Sequence, residues 1–408
     1  MALTQAAERA ALNKIIDYLD EDPKKNIDTI MTLVDKFVPE YVLPSQRRAF
    51  DTAIRERNNW YRLMMRIFDL NPEVRTKLLK TLIVDCSVLA WPHQERMREK
   101  HQCNIPYAIL LDPTSACNLR CTGCWAAEYG HALNLSFEDI DSIICQGKEL
   151  GCHIYIYTGG EPLVRRGIVD LCRSLRAING VRELAMTTNG ALLPQYAAEL
   201  KQAGVDRLNI SLDTLNEDKF ASLTRGGSLA DTLAGLDAAW NAGFCGTKLN
   251  AVLLGGVNED EIPALAQLAQ DGKYEVRFIE LMPIGECADW PRERFLSADA
   301  VLHALPELQR LPNEGVAELY RMPGWKGKIG LIRPMSHRFC ADCDRIRVTA
   351  DGRLKPCLHS AQEIPLRGLH GENLERALRE GMFGKPVSHH MQSGQPSESR
   401  RGMSQIGG

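Results

Sequence analysis

The sequence contains no apolar run of about 18 residues, the length that a membrane-spanning helix needs. It also lacks an excess of charge of one sign, because 49 Lys and Arg residues stand against 52 Asp and Glu residues, for a formal net charge of −3. No overall basic field therefore points to nucleic acid. The N-terminal segment carries acidic residues and has no apolar signal-peptide core. From these absences we expect a cytoplasmic protein that binds neither membranes nor nucleic acid.

A phosphate-binding loop of the Walker type is also absent, so a nucleotide would not be handled as in phosphate-transferring enzymes. Cysteine, in contrast, is abundant, with 13 residues. In the cytoplasm such cysteines are ligands, catalysts or core residues more often than disulfides. Six of them form two groups of three, spaced C-x3-C-x2-C and C-x2-C-x13-C: Cys117, Cys121 and Cys124, then Cys340, Cys343 and Cys357.

Composition and periodicity divide the chain into four predicted segments. In the first, apolar residues recur at helical spacing, as at Leu12, Ile15, Ile16 and Leu19. The last is rich in Ser, Gly and Gln, which is typical of a flexible tail. The segments are 1–104, a helical N-terminal extension; 105–290, alternating strands and helices; 291–385, less regular and holding the second cysteine group; and 386–408, a flexible tail ending in Gly-Gly.

Short strand-like runs alternate with helical runs in the second segment, which is typical of parallel βα units. The runs are 107–112, 153–158, 183–188, 207–212, 247–254 and 275–282. The predicted fold class is therefore α/β, with six units in an open sheet or an incomplete (β/α)6 barrel. Functional groups should gather at the carboxyl ends of the strands. Those ends hold Asp112, "TGGEP" (158–162), "TTNG" (187–190), Ser211–Asp213 and Met282.

Three thiols are one fewer than two common metal centres require. A structural zinc ion and a [4Fe–4S] cluster each usually take four protein ligands. In a cluster held by three cysteines, one iron can bind another molecule. Zinc with a remote histidine is the alternative, and for the second group His337 or His359 could be that fourth ligand.

The first cysteine group follows a strand, and "GGEP" follows the next strand, a combination that resembles the radical S-adenosylmethionine (SAM) superfamily. The resemblance implies a radical SAM barrel in which Cys117, Cys121 and Cys124 hold a [4Fe–4S] cluster and SAM binds the open iron. Gly159 and Gly160 suit the close approach of the backbone to SAM. The positions expected to contact SAM are Gly123, Gly160, Ser211 and Met282.

From Gly159 to Gly408 the chain resembles one family almost continuously, the GTP 3′,8-cyclases of molybdenum cofactor biosynthesis. The motifs are "RFIELMPIG" (277–285), the second cysteine group and the final Gly407–Gly408. The resemblance implies a C-terminal auxiliary iron–sulfur domain whose second [4Fe–4S] cluster contacts the guanine of GTP, and a diglycine tail that enters the active site. The positions that match GTP contacts are Thr187, Lys248, Arg345, Ile346 and Arg347, and the planar fork of arginine suits phosphate.

The implied reaction converts GTP to (8S)-3′,8-cyclo-7,8-dihydroguanosine 5′-triphosphate. The ribose 3′ hydrogen is abstracted and C3′ then bonds to C8 of guanine. The clusters and SAM supply the reactivity, so we expect no side-chain general base. The resemblance also implies an external electron donor and a companion cyclic pyranopterin synthase downstream, and it allows a homodimer.

The front of the chain departs from this family. Gly123 stands where the family has an aromatic residue, and Leu110 and Ile156 stand where it presents arginines to GTP. Residues 1–165 resemble instead a different radical SAM protein with a helical N-terminal extension. The chain can thus be a divergent member, a natural recombinant or a constructed chimera. The alternative functions are a radical SAM enzyme for another substrate, such as a peptide, and a non-catalytic metal-bound scaffold.

Overall fold

The structure is a computed structural model, and it describes most of the chain from residue 2 to residue 399. The described residues are 2–38, 44–58, 61, 64–65, 67–68, 75–76, 79–80, 84, 88–89, 91–106, 108–122, 124, 133–312, 316–340, 343, 345–386, 388–389 and 397–399. No helix among them is both long enough and apolar enough to cross a membrane. The chain divides into two compact units, Met1–Gln102 and Cys103–Gly408.

The first unit is helical. Its helices are α1 (Ala2–Glu21), α2 (Pro23–Phe37), α3 (Pro44–Glu56) and α4 (Trp91–His101). Helix α2 begins with Asp22 as its N-cap, whose carboxylate accepts a hydrogen bond from Lys25 N at 3.2 Å. The apolar positions predicted to face a core, Leu12, Ile15, Ile16 and Leu19, are all buried in one cluster. The helical prediction for this segment is therefore confirmed where the structure describes it.

The second unit alternates strands and helices. Its strands are β1 (Ala108–Leu111), β2 (Ile154–Tyr157), β3 (Glu183–Thr188), β4 (Arg207–Ser211), β5 (Thr247–Leu253), β6 (Tyr274–Glu280), β7 (Gln309–Arg310), β8 (Glu318–Arg321), β9 (Ile329–Ile332), β10 (Arg345–Val348), β11 (Arg353–Lys355) and β12 (Ile364–Pro365). Its helices are α5 (Phe137–Glu149), α6 (Ile168–Ala177), α7 (Leu193–Gln202), α8 (Glu217–Thr224), α9 (Leu229–Asn241), α10 (Ile262–Gln267), α11 (Asp299–Ala304) and α12 (Gly371–Phe383).

All the described strands form one sheet in the order β12-β11-β10-β1-β2-β3-β4-β5-β6-β9-β8-β7. The six predicted strands occupy its centre and are parallel, which confirms the α/β fold class. Two strands from the less regular segment continue the parallel pairing, β10 beside β1 and β9 beside β6. The remaining strands pair antiparallel at the two edges.

The two faces of the sheet differ because side chains alternate along each strand. One face, the covered face, carries Tyr155, Met186, Leu208, Leu249 and Phe278, which are 0–1% exposed. Tyr155 shows what covers it, since its hydroxyl donates to Ile144 O in α5 at 3.0 Å. The open face carries the alternate residues, which are mostly half-exposed and in β3 to β6 mostly polar. An accessible polar face opposite a closely packed apolar one is suited to ligand binding.

Helix α9 approaches the loop after β3 so closely that only glycine fits at one position. A Cβ on Gly235 would lie 2.1 Å from Gly190 O. Helix propensity alone would make Gly235→Ala stabilising by about 1 kcal/mol. The steric conflict is with backbone, which cannot move aside as a side chain can, and overpacking typically costs about 1–3 kcal/mol. We therefore expect Gly235→Ala to lower the midpoint of urea unfolding.

Ala234→Gly, on the exposed side of the same helix, is the matched control. It measures the propensity term alone and should destabilise by about 1 kcal/mol. A Gly235→Ala protein more stable than the parent would show that α9 does not contact the loop as described.

Candidate active site

The first cysteine group lies in the loop that follows β1. Cys117, Cys121 and Cys124 are close enough for each thiol's charge to act on its neighbours. Burial raises the pKa of the Cys117 thiol to about 11, and burial raises the pKa of Cys121 further. Without a metal, the Cys117 and Cys121 thiols would therefore stay protonated at neutral pH. Bound iron supplies the positive charge that lets such thiols act as thiolate ligands.

The loop is held by hydrogen bonds from three directions. Within it, Leu119 N donates to Cys117 Sγ at 3.4 Å. Thr122 N donates to Leu223 O at the end of α8 at 2.6 Å. Asn189 Nδ2, in the loop after β3, donates to Asn118 Oδ1 at 2.8 Å. The spacing of the cysteines is thus fixed by contacts outside the motif as well as within it.

The "GGEP" segment packs directly against the residues that precede Cys117. Gly159 has φ +92°, a conformation that favours glycine. A Cβ on Gly160 would lie 2.2 Å from Ala116 O. Gly160 N donates to Thr114 O at 3.2 Å. The two glycines are therefore needed for backbone-to-backbone contact beside the cysteine loop.

Glu161 ties the ends of β2 and β3 together from a fully buried position. Its carboxylate accepts hydrogen bonds from Thr188 Oγ1 at 2.8 Å, Asn189 N at 2.7 Å and Leu163 N at 3.1 Å. Burial raises the pKa of this carboxyl to about 7, although the three donors favour the charged form. Since Asn189 also holds the cysteine loop, Glu161 is part of the same support.

Two predicted GTP contacts share one row of the open face. The register pairs Thr187 with Asn209, and Asn209 with Lys248. Ser211, predicted to contact SAM, lies exposed at the carboxyl end of β4. Met282, the other described SAM position away from "GGEP", is half-buried just beyond β6.

Asp213 comes two residues after Ser211 and lies near the first cysteine group. Its Oδ1 accepts a hydrogen bond from Val252 N at 2.8 Å. Burial raises the pKa of this carboxyl to about 6. Its charge acts on the Cys121 thiol, raising the pKa of that thiol. The residues after the carboxyl ends of β4 and β1 therefore lie close together, as the sequence predicts.

Within the parallel strands, the open face carries more positive than negative charge. Five cationic side chains are Arg207, Lys248, Arg277, Arg345 and Arg347, and two anionic ones are Glu183 and Glu275. The excess of three positive charges comes from these two counts. Arg207 pairs with Glu183 at 2.6 Å, and Arg277 pairs with Glu275 at 2.5 Å. Such a surface favours a polyanion.

The second cysteine group lies at the opposite ends of the parallel strands, near the amino end of β10. Cys343 comes two residues before β10, and Cys357 comes two residues after the antiparallel β11, so both lie toward the amino end of β10. Cys117 follows the carboxyl end of β1, which is parallel to β10. The two groups are therefore separated by a strand length, about 13 Å for four residues.

Arg347 lies on the open face of β10, between the levels of the two cysteine groups. Burial lowers the pKa of its guanidinium. Asp112, at the carboxyl end of β1, opposes this shift, and so do the thiols Cys343 and Cys357. Ile346 is 1% exposed and belongs to the covered face, so only its main chain could meet a ligand on the open face.

The two histidines considered as zinc ligands have other contacts. His337 Nδ1 hydrogen-bonds Glu318 Oε1, and its side chain is 63% exposed. His359 Nδ1 lies 3.4 Å from Ser397 Oγ, and burial lowers the pKa of its imidazole to about 3. In the described part of the chain, no group of three or more His, Cys, Asp or Glu side chains is arranged to hold a single metal ion. Thiolates that each bind a different iron need not converge on one point.

Part of the C-terminal tail packs beside the site. Ser397 N donates to Pro283 O at 3.1 Å, next to Met282. His389 and Ser399 are 7% exposed. Gly123 and the diglycine Gly407–Gly408, both predicted to take part in the site, lie outside the described residues.

Comparison with known proteins agrees with this geometry. Residues 111–269 match the Radical SAM superfamily, and residues 274–391 match Molybdenum Cofactor Synthesis C. The chain is 43% identical over 321 residues to the GTP 3′,8-cyclase of Alkaliphilus oremlandii (strain OhILAs), which covers 76% of this chain and 100% of that protein. It is 44% identical over 310 residues to the GTP 3′,8-cyclase of Peptoclostridium acidaminophilum, covering 74% and 95%. The crystal structure of Streptococcus suis SuiB has a TM-score of 0.54 at 14% identity, over 74% of this chain and 71% of SuiB, and shows a shared fold.

The parallel sheet, the three thiols after its first strand and the glycine pair beside them define a radical SAM protein, and the matched region agrees. That superfamily binds a [4Fe–4S] cluster and SAM. Within it, the chain belongs to the GTP 3′,8-cyclase family of molybdenum cofactor biosynthesis. The match to the curated relatives is longer than the segment from Gly159 to Gly408 and so extends into the residues before Gly159.

Sequence reasoning missed the supporting residues of the open face. Arg207, Asn209 and Glu183 form a hydrogen-bonded group there. The available signal was the alternation in "RLNIS", where polar residues occupy every second position of a strand with a buried partner face. Glu161 was visible within "GGEP", but its role depends on Thr188 and Asn189, which follow a different strand.

Glu161→Gln tests whether this carboxylate supports the cysteine loop. The amide cannot accept all three hydrogen bonds, because one of its ends can only donate. Losing a hydrogen bond to a buried charged group costs about 1.5–3 kcal/mol. We expect a lower midpoint of urea unfolding and slower SAM cleavage in the reconstituted protein. Glu259→Gln, at an exposed position, is the control and should leave both unchanged. Equal stability of the Glu161→Gln variant and the parent would contradict the supporting role.

Proposed function

We propose that this protein is a radical SAM lyase that converts GTP to (8S)-3′,8-cyclo-7,8-dihydroguanosine 5′-triphosphate. The observation that carries the proposal is the placement of the two three-cysteine groups. One lies at the carboxyl end of β1 and the other at the amino end of the neighbouring β10, with a positively charged open face between them. A nucleotide can extend along the strands from one cysteine group to the other. Its ribose would then meet the SAM side while its base meets the second group.

On the SAM side, Cys117, Cys121 and Cys124 would hold the first [4Fe–4S] cluster. Gly160 brings backbone close to the loop, while Ser211 and Met282 also lie at the carboxyl ends of their strands. When bound, the cluster supplies the electron that cleaves SAM. The contribution of the protein is to orient SAM and substrate and to exclude water from the space between them.

Near the amino end of β10, Cys340, Cys343 and Cys357 would hold a second cluster that contacts guanine. Arg347 stands between this group and Asp112. A buried guanidinium beside thiolates stabilises their negative charge and keeps donors available to substrate oxygens. Arg345 is on the same face of β10, two residues away.

The charge partners of the phosphates would come from β4–β6, because β1 and β2 carry none. Lys248 and Arg277 belong to β4–β6, whereas Leu110 and Ile156 give β1 and β2 an apolar surface. A triphosphate binds where positive charge is concentrated, because each charged contact contributes about 1.5–3 kcal/mol. We also propose the external electron donor and the downstream cyclic pyranopterin synthase as partners of this reaction.

The cysteine groups have separable functions, which a matched pair of variants tests. The experiment is anaerobic incubation with SAM, a reductant and GTP, followed by mass analysis of 5′-deoxyadenosine and the cyclised nucleotide. Cys121→Ala should abolish both products, because the SAM side is lost. Cys343→Ala should halve the iron content and stop cyclisation, yet leave some SAM cleavage.

The parent protein and Cys245→Ala, at an exposed cysteine outside both groups, are the controls. Unchanged SAM cleavage in Cys121→Ala would remove the first assignment, and full cyclisation by Cys343→Ala would remove the second. SAM cleavage by the parent without any cyclised nucleotide would indicate a different substrate.

Leu110 and Ile156 face each other across β1 and β2, near the carboxyl ends of both strands. Ile156 is half-exposed beside the small Ala185, whereas Leu110 is 6% exposed and beside Arg347. We expect Ile156→Arg to strengthen GTP binding about tenfold to a hundredfold, the equivalent of one charged hydrogen bond. Leu110→Arg should gain less, because like charges opposite one another repel.

Binding is measured anaerobically for GTP and for guanosine, with Ile156→Met as the uncharged control. Guanosine lacks phosphates and should gain little from the new charge. High salt should reduce the gain for GTP, since a partly exposed charge is screened. Equal GTP affinity in parent and Ile156→Arg would show that no phosphate approaches β2.

A further inference from the structure

A line of four hydrogen-bonded side chains crosses the open face of β3 and β4. Arg207 donates from Nε to Glu183 Oε1 at 2.8 Å. Its Nη1 donates to Asn209 Oδ1 at 2.5 Å. Asn209 Nδ2 then donates to Thr187 Oγ1 at 3.2 Å. All four side chains are half-exposed, so the line borders the space where a ligand would bind.

The direction of these hydrogen bonds follows from the chemistry of the groups. Arginine has only donors, so Asn209 must present its oxygen to Arg207. The amide therefore turns its NH2 group toward Thr187, and this group can only donate. Thr187 Oγ1 must accept that bond. Its own hydroxyl hydrogen is then directed away from Asn209, toward another acceptor.

Thr187 is half-exposed on the open face, so its hydroxyl can reach an acceptor atom of a ligand there. Thr187 and Lys248 flank Asn209 in one row across three strands. Asn209 is thus in the middle of the row, and its amide is fixed from behind by the Arg207–Glu183 pair. A fixed amide holds the donor direction of Thr187 without any rearrangement when the ligand arrives, which is the condition for a pre-organised contact.

We propose that Asn209 is a positioning residue that commits Thr187 to act as a hydrogen-bond donor to an acceptor atom of the bound nucleotide. This inference rests on the proposed function, because it takes GTP as the ligand. Asn209 acts through Thr187. Arg207 and Glu183 act one step further back, by fixing the orientation of the amide.

Asn209→Asp tests the polarity with almost no change of shape. The carboxylate still pairs with Arg207, but it cannot donate to Thr187 and instead accepts the hydrogen of the Thr187 hydroxyl. Thr187 then loses its donor to the ligand. We expect GTP affinity of the reconstituted protein to fall roughly tenfold, the loss typical of one hydrogen bond. Thr187→Val, which removes the hydroxyl at constant shape, should cause a similar fall.

The decisive measurement is the double variant. If Asn209 acts through Thr187, Asn209→Asp combined with Thr187→Val should weaken GTP binding no more than Asn209→Asp alone. Thr187→Ser keeps the hydroxyl and should retain near-parent affinity, and Asn209→Asp should weaken it as it weakens the parent. Binding of guanosine measured alongside locates the acceptor, in the nucleoside if the same pattern appears and in the phosphates if it does not.

Asn250→Asp is the charge-matched control. Asn250 lies half-exposed on the same face of the neighbouring β5, between Ser211 and Arg277 in register. Aspartate at position 250 adds the same negative charge, but this position is not part of the hydrogen-bonded line that includes Thr187. Its effect should therefore multiply with that of Thr187→Val.

Two results would overturn the inference while leaving the proposed function intact. One is GTP binding by Asn209→Asp as tight as by the parent. The other is a double variant at position 209 that multiplies in the same way as the control at position 250. Failure of the parent itself to bind GTP would instead reject the proposed function, and this inference with it.

Discussion

The parallel pairing of β1 with β10 is the contact on which the site depends. It joins Ala108 to Arg345 and Leu111 to Val348, residues more than 230 positions apart in the chain. The strand that carries the first cysteine group at its carboxyl end thereby lies beside the strand that carries the second group at its amino end. Without this pairing the two groups would have no fixed separation, and the open face between them would have no defined length.

The electrostatics of the site follow from the alternation of side chains in these strands. A charged residue on the covered face would be buried, and a buried charge without a partner is costly. The covered face accordingly holds apolar residues such as Phe278 and Leu208, while the open face holds the arginines. Two of those arginines are paired with glutamates on the same face. The pairing lowers repulsion among the cations and leaves an excess for a polyanionic substrate.

Much of the fold was predictable from the sequence. The six central strands were predicted because "AILL" and "TKLNAVL" are short, rich in apolar β-formers and separated by helical runs. The strands β9 and β10 were not, because "IGLI" and "RIRV" lie among turns and cysteines and pair only with strands distant in the chain. Nonlocal pairing of this kind leaves no local pattern. The cysteine groups were recognisable from spacing, whereas Glu161 and Asn209 act through partners that only the folded chain brings near.

Leu110 and Ile156, where the sequence predicts a departure from the family, have a local physical setting. In register, Arg347, Leu110, Ile156, Ala185 and Arg207 form one row, with an arginine at each end and three apolar side chains between. An arginine at position 110 would lie beside Arg347, about 4.8 Å away from strand to strand. Its cost would depend on how well Asp112 and a bound phosphate compensate two adjacent cations. With leucine at this position, Asp112 faces a single arginine of that row, and a triphosphate must find its charge partners on β4–β6 instead. The apolar pair therefore leaves the phosphates with fewer charge partners, without removing the positive excess that the open face offers.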